Sequence, residues 1–233
     1  MTVTVIIPAL NEGGQLAQAL AALGPARDAG HEVVLVDGGS EDGTRGIAAP
    51  LVDRLTTSSR GRAKQMNAGA KQARGELLVF LHADTVLPWE TLQALLQAFP
   101  AAGAGWGRFD LRLSGGRFMF RLIERLINLR TRLSGIATGD QAIFVRRDLF
   151  EGVGGYPPIP LMEDIALCRM LKRHGRPLCL RDTVLTSSRR WEERGILRTT
   201  LLMWRLRLAF ALGADPHRLA KAYSGVSDQN LNQ

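Results

Sequence analysis

The feature that most constrains this chain is a unit that recurs near its amino end: a short run of β-branched and other apolar residues, stopped abruptly by a polar turn and followed by helical spacing. Residues 2–7 form the first run and Pro8 closes it. The second run, 32–36, ends in Asp37-Gly38-Gly39-Ser40, where glycine permits a sharp turn and Ser40 or Asp42 stands ready to cap the next helix. Runs at 52–56 and 76–81 repeat the unit, with helical patterns at 16–23 and 63–73 between them. Strands alternating with helices at this interval predict βαβ units and an α/β fold with a Rossmann-like, mostly parallel central sheet and helices on both faces. Ligands bind beyond the carboxyl ends of such strands. Asn11, Asp37 and Asp84, which each follow a strand end, are therefore expected along one edge.

The second half is more mixed. Segments 106–113, 141–145 and 177–186 read as strands, and 117–133, 163–174 and 196–212 have helical spacing. With no internal repeat or linker, the expectation is one domain over 1–223, with a nucleotide-binding half (1–100), an acceptor-side half (101–223) and a polar tail at 224–233. Cys168 and Cys179 lack metal-ligand spacing, and buried thiols are expected. No secretory leader and no spanning stretch is read, so a cytoplasmic protein is expected, with a peripheral position at the inner face of a membrane as an option.

Each chemistry-bearing group has a functional and a structural reading. Asp37 at the sheet's ligand edge suits hydrogen bonding to a nucleobase or ribose; the alternative is a turn-forming Asp. Asp84 suits a divalent metal that neutralises leaving phosphates. Arg60, Arg62 and Lys64 stand where a loop enters a helix, a favourable place for a diphosphate, though a solvated basic turn looks the same. Glu163 and Asp164 begin an amphipathic helix, either as first-turn carboxylates favoured by the helix dipole or as a site in which Asp164 takes the proton of an acceptor hydroxyl.

Five segments, in order, resemble the family 2 glycosyltransferases. Val5-Ile6-Ile7-Pro8-Ala9-Leu10-Asn11-Glu12 is similar to that family's opening strand and nucleotide-contacting turn, and Val36-Asp37-Gly38-Gly39-Ser40-Glu41-Asp42-Gly43-Thr44 to its second motif. Gly61-Arg62 with Asn67-Ala68-Gly69 resembles the segment lining the nucleotide, His82-Ala83-Asp84-Thr85 the metal-binding acidic motif, and Met162-Glu163-Asp164 the catalytic acidic pair. Within the family the chain is most similar to the radical-SAM/selenodomain-associated transferases. The resemblance implies a GT-A fold and an inverting transfer from a nucleotide-diphosphate sugar; with no spanning stretch read, a single, non-processive transfer is expected. It implies donor contacts from Pro8, Asn11, Glu12, Asp37, Gly38, Arg62, Lys64, Asn67, His82 and Asp84. Asp84 would hold Mn²⁺ or Mg²⁺, and Asp164 with Glu163 would be catalytic.

Two departures qualify the match. His82 stands where the family often has an acidic residue; as a ligand it would favour Mn²⁺, and otherwise it is structural. Ser187-Ser188-Arg189-Arg190-Trp191 resembles a Gln-x-x-Arg-Trp motif with serine in place of glutamine. Arg190 and Trp191, together with Gly139 and Asp140, are expected on the acceptor and diphosphate side.

The chain carries 30 Lys and Arg against 22 Asp and Glu, a net charge of +8, which favours polyanionic partners. Nucleic acid is not expected, because no helix-turn-helix, zinc-finger or aromatic RNA-binding signature is present. The expected partner is a nucleotide-sugar donor, UDP-linked in preference to GDP-linked, with an acceptor the sequence does not identify, a lipid-linked one among the options. Arginine-flanked apolar stripes at 117–133 and 196–212 suit either packing on the sheet, the favoured reading, or contact with an anionic membrane. Two other functions compete: a sugar-phosphate nucleotidyltransferase, whose usual glycine-rich loop after the first strand is missing, and a non-catalytic nucleotide-sugar or membrane-surface binder.

Overall fold

A computed structural model describes residues 1–228; the side chains of Arg190, Arg194 and residues 224–228 lie outside that description. The elements follow in chain order. First come β1 (Val3–Ala9), α1 (Leu16–Ala21), α2 (Gly24–Asp28), β2 (Glu32–Asp37), α3 (Thr44–Ala48), β3 (Arg54–Thr57), α4 (Arg62–Gln72) and β4 (Leu77–Phe80). Then come β5 (Thr85–Val86), α5 (Trp89–Ala101), β6 (Trp106–Leu113), α6 (Phe118–Ser134), β7 (Ile143–Arg146) and α7 (Arg147–Gly152). The chain finishes with α8 (Glu163–Leu171), β8 (Leu178–Thr186), α9 (Arg189–Arg194), α10 (Ile196–Ala211) and α11 (Pro216–Asp228).

The eight strands among the described residues form one sheet in the order β3-β2-β1-β4-β7-β6-β8-β5. The first four pair in parallel, while β7 runs antiparallel to both β4 and β6, β8 runs parallel to β6, and β5 pairs antiparallel with β8. Strands β1, β2 and β4 are apolar almost throughout because both faces are covered. Val5 and Ile7 of β1, with Leu77 and Val79 of β4, join a cluster with Leu16 and Leu20 of α1 and Leu92 and Leu95 of α5. Their neighbours Ile6, Leu78 and Phe80 join Met66 of α4 and Leu167 and Cys168 of α8 on the other face. Period-two alternation thus feeds two cores rather than a core and a wet surface. Gly69 lets α4 lie close to the sheet: a Cβ there would stand 2.5 Å from Ile6 Cγ2.

This topology gathers one edge. The carboxyl ends of β1, β2, β4, β6 and β8 point the same way, and antiparallel β7 begins there, with Ile143 opposite Phe80. The turns after β1, β2, β4 and β8 and the turn before β7 therefore meet.

The sequence reading assigns no element to 89–101, although Leu92, Leu95 and Phe99 of α5 have helical spacing and are buried. The last helix reaches Asp228, so the polar stretch from residue 224 begins inside α11, and 229–233 lie outside the described residues. Cys168 is buried as expected; Cys179 is half-buried on β8, so the expectation of two buried thiols holds for one.

Candidate active site

The turns after β1 and β2 are laced together by alternate side chains of the second. Asp37, fully buried at the end of β2, accepts hydrogen bonds from the Gly39 and Ser40 amides and from the Ser40 hydroxyl. Ser40 Oγ in turn accepts the Asn11 amide at 2.9 Å, and Asn11 Oδ1 accepts the Glu41 amide at 3.0 Å. Thr44 Oγ1 accepts the Glu12 amide at 2.9 Å, and Asp42 Oδ2 accepts that of Gly13 at 3.1 Å. Ser40 is spent on Asp37 and Asn11 rather than on capping α3, whose N-cap position is Gly43. Asp42 takes the Thr44 amide and hydroxyl, and these bonds, the hydroxyl's first, hold its carboxyl below the usual range.

Behind the turns, buried Gln65 of α4 donates from Nε2 to the carbonyls of Ala9, at 2.7 Å, and Val36, at 2.9 Å. It ties the ends of β1 and β2 together. Gly38 sits against it: a Cβ on Gly38 would lie 3.1 Å from Gln65 Nε2. Pro8 is buried within β1 opposite Val36. Asn67 faces the other way. Its amide donates to the Tyr156 carbonyl at 2.8 Å and accepts the Tyr156 amide at 2.9 Å, fixing the chain that leads to Glu163.

The acidic cluster forms where α4, α8 and the Gly139–Gln141 turn meet. Asp164 Oδ2 accepts the Gly139 amide at 2.9 Å, and Oδ1 that of Ile165 at 2.7 Å. Burial, and secondarily the negative charge of Glu163, push the Asp164 carboxyl up from 3.8 to about 6 against those two bonds. Glu163 is buried and pairs with Arg62 of α4 at 3.6 Å, while Lys64 is exposed on the same helix. Burial works against the Arg62 charge, but Glu163, Asp140 and Asp164 outweigh it and raise its proton affinity.

His82 Nδ1 lies 3.1 Å from Asp140 Oδ1, and its ring occupies the place where a Cβ on residue 139 would fall, 2.2 Å from Nε2. Only glycine fits at 139. Asp84, just beyond β4, lines a small cavity with Asp140, Thr186, Ser187, Arg189 and Trp191. The Arg190 side chain, nominated beside Trp191, lies outside the described residues. Gln15 reaches across from the β1 turn to Ser187, 3.3 Å from Nε2 to Oγ, linking the two ends of the edge.

Three residues other than glycine have positive φ among those described: Asn11 at 55°, Ala142 at 45° and Met162 at 68°. All three flank this edge. Each conformation costs on the order of 1–2 kcal/mol for an L-residue, and the packed surroundings hold it. Gln141 shows how: Thr131 of α6 donates to its Oε1 at 2.7 Å, and its Nε2 donates to Asn128 Oδ1 at 3.3 Å. A depression around Arg74, Glu76, Arg147 and Asp148 is at the opposite edge of the sheet, where Arg146 pairs with Asp148 at 2.6 Å and Arg147 donates to the Gly75 carbonyl.

No group of three or more His, Cys, Asp or Glu side chains able to hold a metal ion occurs among the described residues. His82 turns to Asp140, and Asp84 and Asp140 are the carboxylates that border the cavity. One or two hard oxygen donors fit Mg²⁺ or Mn²⁺ completed by substrate phosphates rather than a protein cage.

The family model described as Glycosyl transferase family 2 matches residues 4–153, ending before Glu163 and Asp164. A PGL/p-HBAD biosynthesis glycosyltransferase of Mycobacterium bovis (strain BCG / Pasteur 1173P2) is 34% identical over 168 residues, covering 66% of this chain and 62% of its own length. Another curated relative is matched over 56% of its length, so the chain spans little more than half the length of these two relatives. Among solved structures, S. aureus TarS 1-349 in complex with UDP-GlcNAc superposes with a TM-score of 0.63 at 22% identity, covering 80% of this chain and 58% of that one. The mannosyltransferase PcManGT from Pyrobaculum calidifontis, in complex with GDP-Man and Mn²⁺, gives 0.64 at 21% identity, covering 98% and 70%.

Proposed function

The chain belongs to glycosyl transferase family 2 and has the GT-A fold, and from that premise we propose that it transfers a sugar, with inversion and one residue at a time, from a nucleotide-diphosphate donor to an acceptor hydroxyl. Within the family we place it with the radical-SAM/selenodomain-associated transferases, a name that supplies no substrate.

The observation that carries the reading is the Asp164 carboxyl. It is held by two backbone amides at the meeting point of the turns, and its proton affinity of about 6 suits a base that works near neutral pH. The acceptor oxygen attacks the anomeric carbon as Asp164 takes its proton. The bond from that carbon to the diphosphate oxygen breaks, and nucleoside diphosphate leaves. Glu163, held by Arg62, orients the start of α8 and supplies the negative field that keeps Asp164 basic. Arg62 and Lys64 of α4, and Arg189 beside the cavity, offer positive charge to the leaving diphosphate. A divalent ion held by Asp84 and the diphosphate would add further charge neutralisation when bound.

The nucleotide lies over the laced turns after β1 and β2. Asp37, fully buried with its carboxylate committed to Gly39 and Ser40, acts by shaping that floor, and Asn11, Glu12 and Gly38 belong to it, with the amides of Asn11 and Glu12 held by Ser40 and Thr44. Asn67 takes a positioning role through Tyr156. A UDP-sugar is the preferred donor, in line with UDP-GlcNAc in the S. aureus TarS complex.

The test is incubation with UDP- and GDP-sugars and Mn²⁺ or Mg²⁺. Release of nucleoside diphosphate is expected. Release of pyrophosphate from a nucleoside triphosphate and a sugar phosphate would instead make the chain a nucleotidyltransferase.

A further inference from the structure

Apart from Met1, every large apolar side chain that is strongly exposed among the described residues lies on α6 or α10 and its end. On α6 they are Phe118, Leu122, Leu126, Leu129 and Leu133, with Met119 beside them; on α10 they are Leu197, Leu201, Trp204, Leu208 and Leu212. Both series advance by three or four residues and trace one stripe along each helix. The opposite faces are anchored. Asn128 of α6 bonds both the amide and the carbonyl of Leu111, and buried Glu124 accepts the Leu113 amide. Leu206 of α10 is buried against Met162 and Ile165. Packing on the body thus accounts for one side of each helix and leaves the stripes uncovered.

The helices are neighbours. Ile196, at the start of α10, packs with Phe120 and Ile123 of α6, and Leu202 and Met203 pack in the cluster that includes Ile136, just past the end of α6. Their exposed charges have one sign. Arg117, Arg125, Arg198 and Arg205 are exposed, 196–212 contains no acidic residue, and the acidic residue of α6, Glu124, is buried against Arg121. No helix is long and apolar enough to cross a membrane among the described residues.

We propose that α6 and α10 form a docking surface for an anionic lipid bilayer, lying in its interface with the leucines and Trp204 in the acyl boundary and the arginines at the headgroups. A second copy suits this face less well, because two-fold pairing would set arginines against arginines, and neither 117–134 nor 196–212 carries an exposed acidic residue. The surface borders the site. α9 carries Arg189 and Trp191 into the cavity and leads into α10, and Met162 and Ile165, which flank Glu163 and Asp164, pack under it. On the transferase reading, on which this clause alone rests, the acceptor is lipid-linked and offers its hydroxyl at the bilayer surface.

The experiment is flotation of the full chain with vesicles of phosphatidylcholine alone or mixed equally with phosphatidylglycerol, at low and high salt. Binding to the anionic vesicles, weaker by about tenfold on neutral ones and reduced by salt, is expected. Leu126→Gln, Leu201→Gln and Trp204→Gln together are expected to lower partitioning by at least about tenfold without lowering Tm, since all three side chains are exposed. Arg125→Gln with Arg205→Gln is expected to remove the preference for anionic lipid while leaving the stripes intact. The proposal is overturned if the wild type does not float with anionic vesicles, or if the triple variant floats as the wild type does. A dimer broken by the triple variant, without vesicle binding, would make the face an interface between copies. Flotation uses no sugar donor, so its failure and the failure of donor turnover are separate results.

Discussion

At the scale of single residues, Asp164 is the group whose environment most departs from the ordinary. Its carboxyl titrates near 6 because burial and Glu163 oppose its charge. As a base it must be ionised, so turnover is expected to rise with pH through about 6, a limb visible in kcat between mildly acidic and neutral buffers. Asp164→Asn is expected to lower kcat by about 10²- to 10⁴-fold and to leave the donor Kd nearly unchanged; full activity in this variant would remove Asp164 from the mechanism. The same shift has a consequence for stability. Between 3.8 and about 6 the folded chain holds a proton that the unfolded chain has released, so the contribution of this group falls as pH rises through that window. Asp164→Asn is therefore expected to be more stable than the wild type above pH 6, by an amount on the order of 1 kcal/mol, and to match it near pH 4 in denaturant titrations. A variant less stable at neutral pH would show that the carboxylate is stabilising where it sits.

At the scale of elements, the join between β1, β2 and α4 depends on Gln65. Replacing it with leucine leaves the Val36 carbonyl without that donor and weakens the hold on the Ala9 carbonyl, for an expected loss of about 1–3 kcal/mol. Because those carbonyls end the strands beneath the donor turns, Gln65→Leu is also expected to raise the donor Kd, measured by calorimetry, more than it lowers kcat. Nothing in the sequence singles out Gln65, whereas β1, β2 and β4 are legible there because strands covered on both faces read as continuous apolar runs. Asp37, Asp84 and Asp164 are legible for a related reason, since a carboxylate that ends a buried run or opens a helix stands out against its neighbours. Ser40, Asp42 and Thr44 are visible as a motif, but their partners, the amides of residues 11–13, are known only once two strands are paired. The positive φ of Ala142 and Met162 has no sequence signal, because neither is a residue that favours it and tertiary packing alone imposes it. The stripes of α6 and α10 are legible as amphipathic, but the sequence does not say that each helix would bury its polar or mixed side and leave leucines outside.

At the scale of the whole molecule, the edge brings together groups from β1, β2, β4, β7, β8, α4 and α8, so a ligand bound there bridges most of the sheet and acts on global stability. A metal alone does not have that reach, because no set of three suitable side chains stands ready for it among the described residues. Donor and Mn²⁺ together are therefore expected to raise Tm by more than the sum of their separate effects, with Mn²⁺ alone near zero. At concentrations about 100 times Kd the gain is about 2.7 kcal/mol, or roughly 5–10 °C for a chain of this size. Asp84→Ala is expected to remove the part that depends on metal and keep the part due to the nucleotide, since Asp84 borders the cavity while the nucleotide floor is built from the turns after β1 and β2. The measurement is a thermal-shift matrix of wild type and variant with no addition, Mn²⁺, UDP-sugar, and both. Stabilisation by Mn²⁺ alone equal to that of the pair would mean a preformed metal cage, and an unchanged matrix in Asp84→Ala would place the metal, if any, on other side chains.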